Sequence, residues 1–198
     1  MKLKRLFIAC FALLFTTQVF SQKINLTSGN LDFLKGQKVL NIEYDYDNMA
    51  VGKYDKEADY VKEKVADYNK KEAGKGDEWK KNWIADRKKR YEPKFEELFN
   101  DKGVLQAGNN AQAAYTMIVK TTFTEPGFNV GVMRKDASVN FEVIFVKTDS
   151  KEEVAKITML KSPGRGGMGY DFDAGFRIQE AYAKAGKSLI HYLAKQLK

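Results

Sequence analysis

The residues able to do chemistry in this chain fall into a few groups, and spacing says which chemistry each suits. In "KSPGRGGMGYDFDAG", Gly164, Gly166 and Gly169 match the G-x-G-x-x-G spacing of loops that bring backbone close to a pyrophosphate at a helix N-terminus. That fingerprint needs a following strand and an acid about 20 residues on, and the terminal "KAGKSLIHYLAKQLK" has neither. The expectation is a surface loop, with Arg165 as a candidate contact for a carboxylate or phosphate of a partner or glycolipid.

The segment "KKNWIADRKKRYEPK" gathers Lys80, Lys81, Arg87, Lys88, Lys89, Arg90 and Lys94 among aromatics. Basic patches bind phosphates and aromatics stack on bases. In an exported protein such a face is expected to meet water, with Trp79 and Trp83 packed beneath it; lipopolysaccharide phosphates or an acidic protein surface, not nucleic acid, are the alternative partners. The residues Lys80, Lys81, Arg87, Lys88, Lys89 and Arg90 are therefore the candidate partner or anion contacts.

Glu43, Asp45 and Asp47 alternate along "EYDYDNMAVGKY", a stretch that fails the calcium-loop pattern where Asn48 and Tyr54 replace its Gly and Glu. A solvated strand face is the expectation. With Asp171 and Asp173 these acids are the only basis for a hydrolase, which needs two of them in one cleft. His191, the single histidine, falls far round its helix from the apolar stripe and is expected to be exposed. No catalytic residue, metal site or cofactor is expected.

These groups must be carried by secondary structure, and hydrophobic periodicity indicates which. Leu40, Ile42, Tyr44 and Tyr46 alternate as a first strand. Tyr54, Ala58, Val61, Val65 and Tyr68 recur at helical spacing. A second helix is expected from an N-cap at Asp77, and a third follows Pro93 with Phe95, Leu98 and Phe99 inward. Strands are then read from Ala114 to Thr124, Phe128 to Met133, Val139 to Lys147 and Val154 to Lys161. Ile178, Tyr182, Ala185, Leu189 and Leu193 form the stripe of a closing helix. The predicted class is α+β: an antiparallel-rich sheet of four to five strands, helices on one face, and a helical insert at about 54–101.

The start "MKLKRLFIACFALLFTTQVFSQ" has the basic, apolar and small-residue order of a secretory signal, so residues 1–21 are read as a signal peptide and 22–198 as one domain. Its apolar core is too short to span a bilayer. Cys10, the only cysteine, lies inside that core with "FALLF" after it, so a released chain is expected, not a lipoprotein. The mature protein then has no thiol for disulfides, nucleophilic catalysis or zinc. Removing Lys2, Lys4 and Arg5 lowers the formal charge from +8 to +5.

The segments "FLKGQKVLNIEYDYDNMAVGKY", "EAGKGDEWKKNWIADRKKRYEPKFEELFN" and "GFRIQEAYAKAGKSLIHYLAKQL" resemble uncharacterised exported envelope proteins of Gram-negative bacteria. More distantly, "AAYTMIVKTTFTEPGFNVG", "ASVNFEVIFVKTDSKEEVAKITM" and the closing helix are similar to periplasmic auxiliary domains of transport and secretion lipoproteins. The resemblance implies a non-enzymatic binding or assembly protein of the envelope, working through its sheet edge, aromatic insert or basic face, with another envelope protein as partner. The alternative is a carrier holding a lipid or glycan between sheet and helices, which requires an aromatic-lined cavity there.

Overall fold

The computed structural model describes residues 22–130, 133–164 and 173–197, so the expected signal peptide and Arg165 lie outside the described residues. Alternating residues build a seven-stranded sheet in the order β1-β9-β8-β5-β2-β4. Its strands are β1 (Lys23–Gly29), β2 (Val39–Asp45), β3 (Ala50–Val51), β4 (Gln106–Gly108), β5 (Tyr115–Glu125), β8 (Ala137–Lys147) and β9 (Glu153–Gly164). A separate ribbon pairs β6 (Phe128–Val130) with β7 (Met133–Lys135), where a single strand was expected. A short 3-10 turn, Asp32–Leu34, links β1 to β2 and buries Leu34.

The sheet is mixed, which corrects the antiparallel-rich expectation and its count of four to five strands. β1, β9, β8 and β5 pair antiparallel, whereas β2 runs parallel to both β5 and β4, and β3 runs parallel to β5. The physical cause is the helical segment. Parallel neighbours need a long crossover, usually helical, and the helices between β2 and β5 are that crossover, not an ornament on a hairpin sheet. Asn48, at φ 61, turns the chain so that β3 resumes the track of β2 along β5.

The crossover holds α1 (Glu57–Lys71), α2 (Lys75–Asp86), a π turn (Arg87–Tyr91) and α3 (Glu92–Asn100). Glu57 and Asp59 open α1 and Lys70 and Lys71 close it, matching the helix dipole at both ends. The chain reverses at Gly74, whose φ of 83 serves as the N-cap of α2; the expected N-cap, Asp77, lies inside the first turn. No break precedes Pro93. Its ring would crowd the carbonyl of Lys89 and it has no N–H to bond there. The π turn absorbs both problems, with the Glu92 N–H reaching back to the Arg87 carbonyl.

The helix α4 (Ala174–Gln196) closes the fold, and its expected stripe of Ile178, Tyr182, Ala185, Leu189 and Leu193 is buried. It packs with α3 over the sheet face formed by Met117, Val119, Phe141, Val143, Phe145, Ile157 and Met159. Phe141 meets Tyr182 edge-on at 5.0 Å and Phe95 at 6.4 Å, while Tyr91 stacks on Tyr182 at 5.1 Å. Gly186 permits the approach of the two helices, because a Cβ there would stand 2.2 Å from the Phe95 carbonyl oxygen. Asp173 caps α4 by accepting from the Gly175 N–H at 2.8 Å.

Candidate functional site: the helical hairpin and its groove

α1 and α2 form a hairpin that joins the body through β3 at one end and the π turn at the other. Its inner side is an aromatic cluster. Tyr60 lies against Trp83 at 5.2 Å and Trp79 at 5.8 Å, with Trp79 stacked on Trp83 and Tyr54 and Tyr68 at the margins. Gly76 lets α2 touch α1, where a Cβ would meet the Val65 carbonyl oxygen at 2.2 Å.

The hairpin is braced by charge as well as by rings. The Glu57 carboxylate accepts from Trp83 Nε1 at 2.6 Å and from the Arg87 guanidinium, and that guanidinium lies 4.3 Å over the ring of Tyr46. Lys88 reaches Glu92, a buried acid that also accepts from the Tyr46 hydroxyl at 3.3 Å. Tyr44 donates to the Glu92 carbonyl and to Glu96, each at 3.2 Å. Burial pushes the hydroxyls of Tyr44, Tyr46, Tyr60, Tyr91 and Tyr182 well above their ordinary value, and the neighbouring acids add to this for Tyr44, Tyr46 and Tyr91. Burial likewise raises Glu96.

The expected basic face therefore divides. Arg87 turns inward to Glu57, and Arg90 bridges Asp86 at 3.1 Å and Asp173 at 2.5 Å. Burial raises the Asp86 carboxyl against the pull of Arg90; Asp173 is also lifted by burial, but its bond to Arg90, the Arg90 charge and the backbone N–H groups of Gly175 and Phe176 together outweigh this and leave it low. Lys80, Lys81 and Lys89 stay exposed and make no ion pair among the described residues, and Lys88 is exposed along most of its length. Arg87 and Arg90 are thus braces of the fold, while the lysines remain outward.

Between α1 and α2, on the side away from the aromatic cluster, lies a groove of about 500 Å³. Val61, Val65, Ala58, Ala66 and Ile84 form its floor and inner walls, with Lys62 and Lys80 on opposite rims and Glu57 and Asp77 at its ends. Ile84 is 45% exposed, unusual for an isoleucine beside other apolar side chains. Ile84 lies four residues after the exposed Lys80, so the two share one outward face of α2.

No family model matches the chain, and no curated protein matches it. Among solved structures it is similar to a PelC dodecamer from Paraburkholderia phytofirmans, at 13% identity over 89% of this chain and 97% of that one, with a TM-score of 0.40. It is also similar to protein XCC0632 from Xanthomonas campestris, a DUF330 protein, at 8% identity over 80% and 84% of the two chains, again at 0.40. Likeness at this distance transfers no function.

The other sequence candidates are dispersed. Asp45 pairs with Lys120 at 2.8 Å; burial lifts its carboxyl, but that ammonium and the Asp47 N–H outweigh the effect and hold it below the usual range. Glu43 pairs with Lys151 at 3.2 Å, and Asp173 caps α4. Glu43 and Asp45 belong to the open face of the sheet, whereas Asp173 belongs to the helical layer, so these three acids do not share a cleft; Asp171 lies outside the described residues. Among the described residues no three His, Asp or Glu side chains form a metal-binding group, and no helix is long and apolar enough to cross a membrane. His191 is half-buried, not exposed. The β6–β7 ribbon, which the sequence reads as a single strand from Phe128 to Met133, exposes Phe128, Val130 and Met133.

Proposed function

We propose that this chain is an exported, non-enzymatic binding or assembly protein of the bacterial envelope, and that it engages a partner protein through the α1–α2 hairpin. The observation that carries the reading is the groove: an apolar floor held open on a hairpin whose other side is fixed by stacked aromatics and the Glu57–Arg87 brace. Grooves of this kind receive amphipathic helices, because an apolar stripe is buried while flanking charges set register. Export rests on the N-terminal sequence, whose basic, apolar and small-residue order suits a cleaved signal.

The carrier reading has less support. It requires space between sheet and helices, and the aromatics placed there, Phe95, Phe141 and Tyr182, pack on one another.

The test is crosslinking in intact cells, purification of the tagged mature protein, and mass spectrometry of what accompanies it. One stoichiometric envelope protein, lost in a folded Ile84→Asp variant, supports the reading. Monomer alone, under conditions that capture a known envelope complex, refutes it.

A further inference from the structure

We infer that the occupant of the groove is an acidic amphipathic helix of a partner protein, an inference that rests on the hairpin being the docking element. The floor is made of small and β-branched residues, Ala58, Val61, Val65 and Ala66, completed by Ile84 from α2. Small side chains let a third helix settle close between two others, since interaxial distance follows side-chain size. The stretch of α1 involved runs from Glu57 to Ala66, about 14 Å at 1.5 Å per residue. That length suits between two and three turns of a bound helix, with apolar anchors at i, i+3 or i+4, and i+7.

Charge decides the polarity of the partner. Of the two acids of the groove, Glu57 is paired with Arg87 of the π turn and bonded by Trp83, while Asp77, at the far end, keeps its charge and accepts from the neutral Asn69 side-chain amide at 3.3 Å. Lys62 and Lys80 are exposed on opposite rims and form no ion pair or hydrogen bond among the described residues; the same holds for Lys81 beside them. An apolar floor between two exposed ammonium groups that form no ion pair among the described residues, with the one unpaired acid, Asp77, at its far end, matches a helix whose apolar stripe is flanked by Glu or Asp on both sides. A simple polyanion would leave the floor unused. In a second copy of this chain α3 and α4 do not offer such a helix, because α4 exposes Lys184, Lys187 and Lys195, and Glu97 on α3 is paired with Lys94; α1 carries acids on its outer side but presents Lys62 beside its own apolar stripe, so groove-to-groove pairing of two copies would set like charges together.

The probes are two synthetic peptides of about four helical turns with one leucine stripe, flanked in one by glutamates and in the other by lysines. Binding to the mature protein is read by fluorescence anisotropy at low ionic strength, where rim charges act most strongly. The glutamate peptide is expected to bind at least about tenfold more tightly than the lysine peptide. Lys62→Glu with Lys80→Glu is expected to reverse that preference, and Ile84→Asp, checked for native circular dichroism, to abolish binding of both. Polyglutamate binding as tightly as the stripe peptide would overturn the inference, as would equal affinity for both peptides, indifference to charge reversal, or self-association through the groove on sedimentation. If cells yield a partner at Ile84 but the peptides show no charge preference, the inference fails while the docking reading stands. Failure of both experiments removes both.

Discussion

Alkaline pH is a direct probe of how the helices sit on the sheet, because Tyr44, Tyr46, Tyr60, Tyr91 and Tyr182 lie at that junction with hydroxyls held above the usual value of 10.0. A group whose folded pKa is raised contributes stability that is complete below its unfolded pKa and is lost as pH rises beyond it. Each such tyrosine removes about 1.4 kcal/mol per pH unit above about 10, and five together remove about 7 kcal/mol per unit. A domain stable by about 5–15 kcal/mol is then expected to unfold cooperatively within about two units above pH 10. Near-ultraviolet tyrosinate absorbance and circular dichroism should be followed together. These five hydroxyls are expected to ionise only in the step that destroys the dichroism. Smooth ionisation of all ten tyrosines around pH 10 with native dichroism throughout would refute the placement of this cluster.

Further predictions concern single contacts. Glu57→Ala strips Arg87 and Trp83 of their acceptor; since the ion pair is about four-fifths buried, a loss of about 2–3 kcal/mol is expected in urea unfolding followed by tryptophan fluorescence. A change below about 0.5 kcal/mol would show that the pair is not a brace. Gly186→Val drives a side chain into the Phe95 carbonyl and should lower stability by about 3 kcal/mol or more in the same assay. Tyr91→Phe keeps the stack on Tyr182 and removes a buried hydroxyl that has no hydrogen-bond partner among the described residues. That variant should be as stable as the wild type or up to about 1 kcal/mol more so, and a clear loss would contradict the assignment.

Much of the helical layer was legible. The spacing of Ile178, Tyr182, Ala185, Leu189 and Leu193 identified α4 and its buried side, and Phe95 and Phe99 were rightly placed inward. The inward alternation of Leu40, Ile42, Val139, Phe141, Val143 and Phe145 identified the central strands for the same reason: one face is covered and one is not. β1 escaped notice because it is an edge strand with little burial on either face, which leaves no hydrophobic alternation to read. β3 and β4 are too short to show a period.

The parallel pairing of β2 with β5 was implied by a strand, a long helical segment and a strand in succession, a pattern that crossovers produce. The division of the basic face was not legible. The π turn adds a residue to the helical repeat, rotating the positions after it by about 100°, and the partners of Arg87 and Arg90 come from Glu57 and Asp173, distant in sequence. The groove emerges only when α1 and α2 are placed side by side.

The most direct measurement is photo-crosslinking in living cells from an unnatural residue at position 84, with the same residue at position 187 on the exposed side of α4 as control. One discrete protein adduct is expected from position 84 and none from 187, with the adduct lost when Lys62 and Lys80 are both changed to Glu. No adduct from 84, or the same adducts from both positions, would contradict the claim that this protein works through its helical hairpin.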